Sequence, residues 1–398
     1  MAEAVIVATA RSPIGRAFKG SLTTIRPDDL TAQIVRAALA KVPALAPNDV
    51  EDLMLGTGDP SGEQGFNMAR VVAILAGMPD VPGTTVNRYC SSSLQTIRMA
   101  AHAIRAGEGD VFIAAGVECV SRYSGGGDHR NPAFGEATAR SEGRSGAGAA
   151  TWAPSAGLPD IYIAMGQTAE NVRQIENVSR AEMDEFGARS QQLACANVAN
   201  GFFEREITPI TLPDGTVVAR DDGPREGTTV EKLAQLKPVF RPDGEITAGN
   251  ACPLNDGAAA TIVMSDARAR ELGLTPLARI VASGVSGLNP EIMGLGPIEA
   301  CRQAMKRAGV TIDDIDLVEI NEAFAAQVIP SARHLGIPWD KLNVHGGAIA
   351  LGHPFGMTGS RIMATLLNGL EHSGGTLGME SMCVGGGQGM AMIVERLA

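Results

Sequence analysis

The chain has 398 residues, 44% of them hydrophobic, enough for two or three domains with substantial cores. A net charge of −11 argues against nucleic acid as a partner, and no apolar run reaches the length of a membrane-spanning helix. The six cysteines are scattered and form no CxxC pair, and the opening MAEAVIVATARSPIGR is not expected to act as a secretory signal. Neither a disulfide framework nor a zinc site follows, and a reducing, cytoplasmic setting is expected.

In chain order, strand-like runs at Ala4–Ala8, Val111–Ala115 and Ala259–Met264 alternate with helical stretches such as Asp28–Leu39, which predicts layered α/β architecture. The segment from Asp28 to Gly58 runs from a helix to LMLGTG. The segment from Pro297 to Phe324 repeats that plan, from GPIEACRQAMKRAGV to LVEINEAF. After each comes a turn rich in small residues that opens a helix: NRYCSSSLQTIRMAA in the first half, HPFGMTGSRIMATLL in the second. A strand follows each time, so one α/β unit reads as duplicated, with its two small-residue turns facing each other. Between the copies, residues 121–248 resemble neither. They hold a Gly/Ser-rich loop, a helix over Arg180–Ala199 and a turn-rich segment, the pattern of a ligand-covering lobe.

Cys90 falls where an extended run meets a helix, and a thiol at a helix N-terminus is expected to favour thiolate. His353 lies in a second glycine-rich turn, GGAIALGHPFG, and a base beside a cysteine suits nucleophilic catalysis. His345 in the same loop is a rival candidate. His102, His129, His334 and His372 fall in helices or polar loops and are expected to be solvated. Cys383 ends a strand that breaks into three glycines, whose N–H groups can form an oxyanion hole, and its thiol can carry a proton. Asn321 and Glu322 follow a strand and open a helix, where Asn321 is either an N-cap or the holder of a water. These residues suggest acyl transfer with a second thiol and leave the acyl group unnamed.

Taken together, NRYCSSSLQ, GNACPLNDGAAA, NEAF, GGAIALGHPFG and CVGGGQG resemble the signature set of the thiolase family, in its order and over essentially the whole chain. The resemblance implies a duplicated α/β fold of two stacked βαβαβαββ halves, layered α-β-α-β-α, with an inserted loop domain. Residues 1–120 with 249–270 would form the first half, 121–248 the insertion and 271–398 the second half. It implies that Cys90 takes the acyl group as a thioester and that His353 activates it. A water on Asn321 would complete one oxyanion hole with His353, and the N–H groups of Cys90 and Gly385 would form the other. Cys383 would move the proton on the acetyl-CoA carbon or the CoA thiol. Coenzyme A is implied as substrate, with no permanently bound cofactor. Arg225 would meet its nucleotide and Cys252 its pantetheine, with Leu158, Met165, Phe240 and Phe324 along the apolar walls. A homodimer or homotetramer is implied.

Three positions depart from the family pattern. Ser93 replaces a glycine and would narrow the space behind the nucleophile, Cys252 replaces a serine, and His345 would add an imidazole near the site. Members specialised for acetoacetyl-CoA carry His before Met165. Ala164 stands there instead, which favours the degradative class acting in fatty-acid β-oxidation or a related pathway. An acetoacetyl-CoA-specific acetyltransferase is the alternative, and a non-catalytic acyl-CoA-binding protein the alternative of another class.

Overall fold

The computed structural model describes residues 2–123 and 130–398; His129 lies outside them. The principal strands are β1 (Ala4–Arg11), β2 (Asp52–Gly56), β3 (Gly83–Val86), β4 (Val111–Cys119), β5 (Asn255–Ser265), β6 (Ala278–Gly287), β7 (Leu317–Ile320), β8 (Leu377–Val384) and β9 (Gln388–Arg396). The principal helices are α1 (Pro27–Ala40), α2 (Met68–Leu75), α3 (Ser92–Ala106), α4 (Met165–Ile175), α5 (Arg180–Ala199), α6 (Gly296–Ala308), α7 (Ala325–Leu335) and α8 (Thr358–Ser373).

The strands run β3-β2-β4-β5-β1 in the first half and β7-β8-β9-β6 in the second. The plan repeats pair by pair. β2 is parallel to β4 as β7 is to β8, the edge strand β3 is parallel to β2, and the remaining neighbours in both sheets are antiparallel. The two sheets touch edge to edge only where Val5 and Ile6 of β1 pair with Arg279 and Ala278 of β6. The second half lacks a counterpart of edge strand β3. At that place a single parallel bridge joins Leu342 to Val318.

Both sheets are covered on both faces, which is why β4 and β5 are buried along their whole length and mostly apolar. Helices α1 and α2 pack outside the first sheet, α6 outside the second, and α3 and α8 lie between the two. The central position explains the composition of α8. Every residue from Thr358 to Leu370 is buried, so it carries no polar stripe of the kind a surface helix shows. Side chains such as Leu94, Ile97, Ile362, Leu366 and Met382 fill the space between the sheets.

Close approach of α3 and α8 demands small residues. A Cβ on Gly359 would lie 2.3 Å from the Leu94 backbone nitrogen, and one on Gly116 only 2.0 Å from the Gly356 carbonyl oxygen. The Ser93 hydroxyl accepts the Ser360 N–H at 2.9 Å. Ser93 therefore ties the two helices together and does not merely narrow the space behind Cys90.

The region between the halves belongs to the first half in sequence, yet α4 and α5 pack on α7 and its neighbours in the second half. Helix α5 opens with a capping box of Ser179 and Glu182. Glu291 accepts from Trp152 Nε1 (2.6 Å) and Asp160 N (2.9 Å), and Glu322 accepts from the Ser190 hydroxyl (2.6 Å). These buried bonds fasten the lobe to the second half. Gly359→Ala should force α3 and α8 apart and cost about 1–3 kcal/mol or more, as overpacking does. Thermal unfolding within a degree of the parent would contradict this packing.

Candidate active site

The nucleophile turn begins where β3 ends. Tyr89 adopts φ +43°, a left-handed conformation that costs a non-glycine residue about 1–2 kcal/mol. Local hydrogen bonds hold it there: Tyr89 N–H donates to Asn87 Oδ1 at 2.9 Å, and the Ser92 hydroxyl accepts Arg88 N–H (2.9 Å) while donating to Tyr89 O (2.7 Å). A short 3-10 turn, Tyr89–Ser91, then carries half-buried Cys90 to the start of α3. The Cys90 sulfur is met by its own backbone N–H and that of Gly385.

Gly385 opens the turn between β8 and β9, in which Gly386 and Gly387 have φ of +74° and +77°. Cys383, fully buried at the end of β8, lies within electrostatic reach of Cys90 and Cys252. Cys252 N–H donates to Ala323 O at 3.0 Å, so three thiols from three distant segments share one neighbourhood.

Helix dipole and burial oppose each other at Cys90, and burial wins. It pushes the thiol up to about 11 although two N–H groups pull it down. Burial thus opposes the thiolate that a helix N-terminus favours. His353 feels the same cost. Burial, aided by the nearby charge of Arg361, lowers it to about 3.

The His353 tautomer follows from its partners. The Thr358 hydroxyl donates its single proton to Pro354 O (2.7 Å), so at 2.6 Å from His353 Nδ1 it must accept. Nδ1 carries the hydrogen and Nε2 is left with its lone pair, facing the Asn321 amide nitrogen at 3.2 Å. Asn321 is 1% exposed, and its Oδ1 has no partner among the described residues, which leaves an acceptor free for a water. It is not an N-cap, since α7 begins at Ala325 with Phe324 before it.

Other candidates divide. Met165, Phe240, Cys252 and Phe324 pack in one apolar cluster, with the Phe240 and Phe324 rings edge to face at 6.2 Å. Leu158 stands outside it, half-exposed on the lobe. His345 is corrected. Its ring stacks on Phe202 at 3.8 Å and lies against Gly369, so it packs beneath the lobe. His102, His334 and His372 are exposed on helices.

Sequence reasoning missed Thr358, which sets the His353 tautomer, and Arg16, whose charge acts on Arg225. Neither arginine side chain has a carboxylate partner among the described residues, and the Arg225 N–H donates to Gln191 Oε1 at 2.8 Å. The ARSPIGR segment gave no periodic or motif signal for Arg16. No group of three or more His, Cys, Asp or Glu that could hold a metal ion occurs among the described residues.

A thiol near 11 is only about 0.1% thiolate at pH 8. Without substrate, iodoacetamide inactivation at Cys90 should quicken about tenfold per pH unit from pH 7 to 9. A plateau below pH 8 would reveal a preformed thiolate and refute the neutral resting site.

The thiolase N-terminal domain matches residues 4–267, and the thiolase C-terminal domain matches residues 274–396. A beta-ketoadipyl-CoA thiolase of Acinetobacter baylyi is 43% identical over 407 residues, covering 100% of both chains. A 3-ketoacyl-CoA thiolase of Bacillus subtilis is 43% identical over 408 residues, 99% of this chain and 100% of that one. Among solved structures, human mitochondrial 3-ketoacyl-CoA thiolase superposes with a TM-score of 0.88 at 36% identity, covering 100% of this chain and 99% of that one. The acetyl-CoA acetyltransferase of Bacillus anthracis gives 0.87 at 38% identity with the same coverage. With both domains matched in order and relatives aligned over their full length, this chain belongs to the thiolase family.

Proposed function

We propose that this chain catalyses the CoA-dependent thiolytic cleavage of a 3-ketoacyl-CoA to acetyl-CoA and a shortened acyl-CoA. The observation that carries this reading is the second thiol, Cys383, buried beside Cys90. A hydrolase has no use for it, whereas carbon–carbon cleavage must protonate a carbanion equivalent. The names and full-length similarity of the relatives support the same reaction.

In the forward sense, Cys90 Sγ attacks the 3-keto carbon and its proton passes to His353 Nε2. The two N–H groups of Cys90 and Gly385 stabilise the tetrahedral oxyanion. The bond between C2 and C3 then breaks, leaving an acyl thioester on Cys90 and the enolate of acetyl-CoA. His353, now protonated, and a water on Asn321 Oδ1 donate to the enolate oxygen while Cys383 delivers a proton to its carbon. After acetyl-CoA leaves, the Cys383 thiolate takes the proton of an incoming CoA thiol, which attacks the thioester. Cys90 departs and recovers its proton from His353, while the CoA proton restores Cys383, whose own proton left with acetyl-CoA, so the balance closes. Running the same steps backwards is a Claisen condensation.

Starting from a neutral thiol and a neutral imidazole suits this sequence. Charge appears only when the carbonyl is in place, aimed at donors already positioned. Coenzyme A would lie against residues 121–248, its anionic nucleotide toward Arg225 and Arg16 and its pantetheine along Cys252, Leu158, Met165, Phe240 and Phe324. Ala164 stands before Met165 where acetoacetyl-specialised members carry His, which supports the degradative class over an acetoacetyl-specific enzyme. Six free cysteines suit a reducing cytoplasm. Edge strand β3, beside the 96% exposed Phe66, is the surface through which two copies would pair.

Loss of 3-ketoacyl-CoA on adding CoA, followed from acetoacetyl to long and carboxyl-terminated chains, tests the reaction. Cys90→Ala should abolish turnover, while Arg16→Ala and Arg225→Ala should each raise KM for CoA about two- to fivefold. CoA binding without turnover on any chain would sink the catalytic reading. Light scattering should give at least twice the 41.2 kDa of one chain, and a monomer would dismiss the pairing.

A further inference from the structure

Among the buried carboxylates that the proposed mechanism leaves unused, one acts on Cys90 itself. Glu118, near the end of β4, is 0% exposed and accepts six hydrogen bonds. Oε1 takes Gln64 Nε2 (2.6 Å), the Tyr123 hydroxyl (2.8 Å), and Thr57 Oγ1 and Asp59 N–H (both 3.3 Å). Oε2 takes just two, both backbone N–H groups: Gly58 at 2.7 Å and Gly356 at 2.8 Å. Donors on every side favour the ionised form, which offers only acceptors, against the burial that pushes Glu118 up.

Those two amides belong to different halves and lead to different reacting groups. Gly356 lies three residues beyond His353 in the turn that opens α8, two before the Thr358 that fixes the imidazole. On the other side, Gly58 O accepts Asn87 Nδ2 at 3.1 Å, and Asn87 Oδ1 accepts the N–H of Tyr89, the residue before Cys90. One oxygen atom thus joins the nucleophile turn of the first half to the histidine turn of the second. Room for this contact is narrow. A Cβ on Gly58 would come 2.8 Å from Oε2, and one on Gly356 only 2.2 Å from Val117 O.

We propose that Glu118 is a positioning residue for the acyl-transfer reaction, its Oε2 setting the register between the Cys90 turn and the His353 turn by holding Gly58 and Gly356 together. It touches no substrate. Its effect passes through the two turns, and an error of about 1 Å between reacting groups is enough to cost about 100-fold in rate.

The proposal rests on the reading of Cys90 and His353 given above, so its test pairs kinetics with a readout needing no substrate. In Glu118→Gln an amide replaces the carboxylate. With its oxygen turned to the four donors on the Oε1 side, its NH2 group faces Gly58 and Gly356 and both bonds are lost. The expected result is a kcat lower by about 10- to 100-fold with KM for CoA within about twofold. The hydrogen-bonded Nδ1–H resonance of His353, read in protein with labelled histidine, should also shift or broaden. Asn87→Ala cuts the same path at an exposed residue and should fold even if the Glu118 variant does not. It should lower kcat about five- to tenfold while leaving the His353 resonance in place. A kcat within twofold of the parent in either variant overturns the proposal. So does a low kcat in Glu118→Gln with the His353 resonance unmoved, since that is general destabilisation. Absence of turnover in the parent protein would count against the thiolase reading alone, and the resonance would still decide the clamp.

Discussion

The constraint on which the rest depends is the contact between the N-terminal ends of α3 and α8, two helices enclosed between two sheets. Gly359 admits the backbone at Leu94, Gly116 admits the carbonyl of Gly356, and Ser93 bonds across to Ser360. Nearly everything functional is built outward from this contact. Cys90 precedes α3 by two residues and His353 precedes α8 by five, so the distance between helix ends governs the distance between reacting groups. A duplicated unit provides this arrangement directly. Equivalent strand orders in the two sheets carry equivalent helix starts, and packing the sheets face to face brings those starts together.

Burial at such a place has an electrostatic consequence. The dipole at a helix N-terminus favours thiolate, but removal of water disfavours any charge, and here the second effect is larger. The same desolvation keeps His353 neutral, with Arg361 acting in the same direction. Arg361 itself lies within α8, near Glu319 and Glu380, which are neighbours across the parallel pair β7–β8. Burial pushes Glu319 up to about 8 and holds Glu380 well above the ordinary carboxylate range, against the pull of Arg361. Among the described residues, two nitrogens of Arg361 and both oxygens of Glu380 have no hydrogen-bond partner. Donors aimed at developing charge in such a buried place act with less screening than in water.

The lobe between the halves shows a different economy of design. It leaves the chain from the first half and docks on the second through Glu291 and Glu322, so its position responds to the half that carries His353 and Cys383. Glu322 also accepts Asn343 Nδ2 and the Ile349 N–H, and it is the chain neighbour of Asn321. One buried carboxylate thus connects the lobe, the Asn321 turn and the loop leading to His353.

Much was legible in the sequence. The strands at Ala4, Val111 and Ala259, the helix over Arg180–Ala199, the duplicated unit and the small-residue turns around Cys90 and His353 all follow from local periodicity and composition, which neighbouring residues encode. Other features were not. The left-handed Tyr89 carries no glycine to announce it, and its support comes from Asn87 and Ser92 only once the turn is formed. His345 shares a loop with His353 but packs on Phe202, a choice that spacing cannot make. The Thr358 proton, the charge of Arg16 beside Arg225 and the two bonds of Glu118 Oε2 join residues whose nearness arises from folding. The sequence by itself determined which segments are strand or helix and which side chains can react, because those are properties of a few consecutive residues. Only the tertiary structure decided which groups meet and which carry charge, because contact across hundreds of residues and the loss of water around a thiol exist only after the layers have closed.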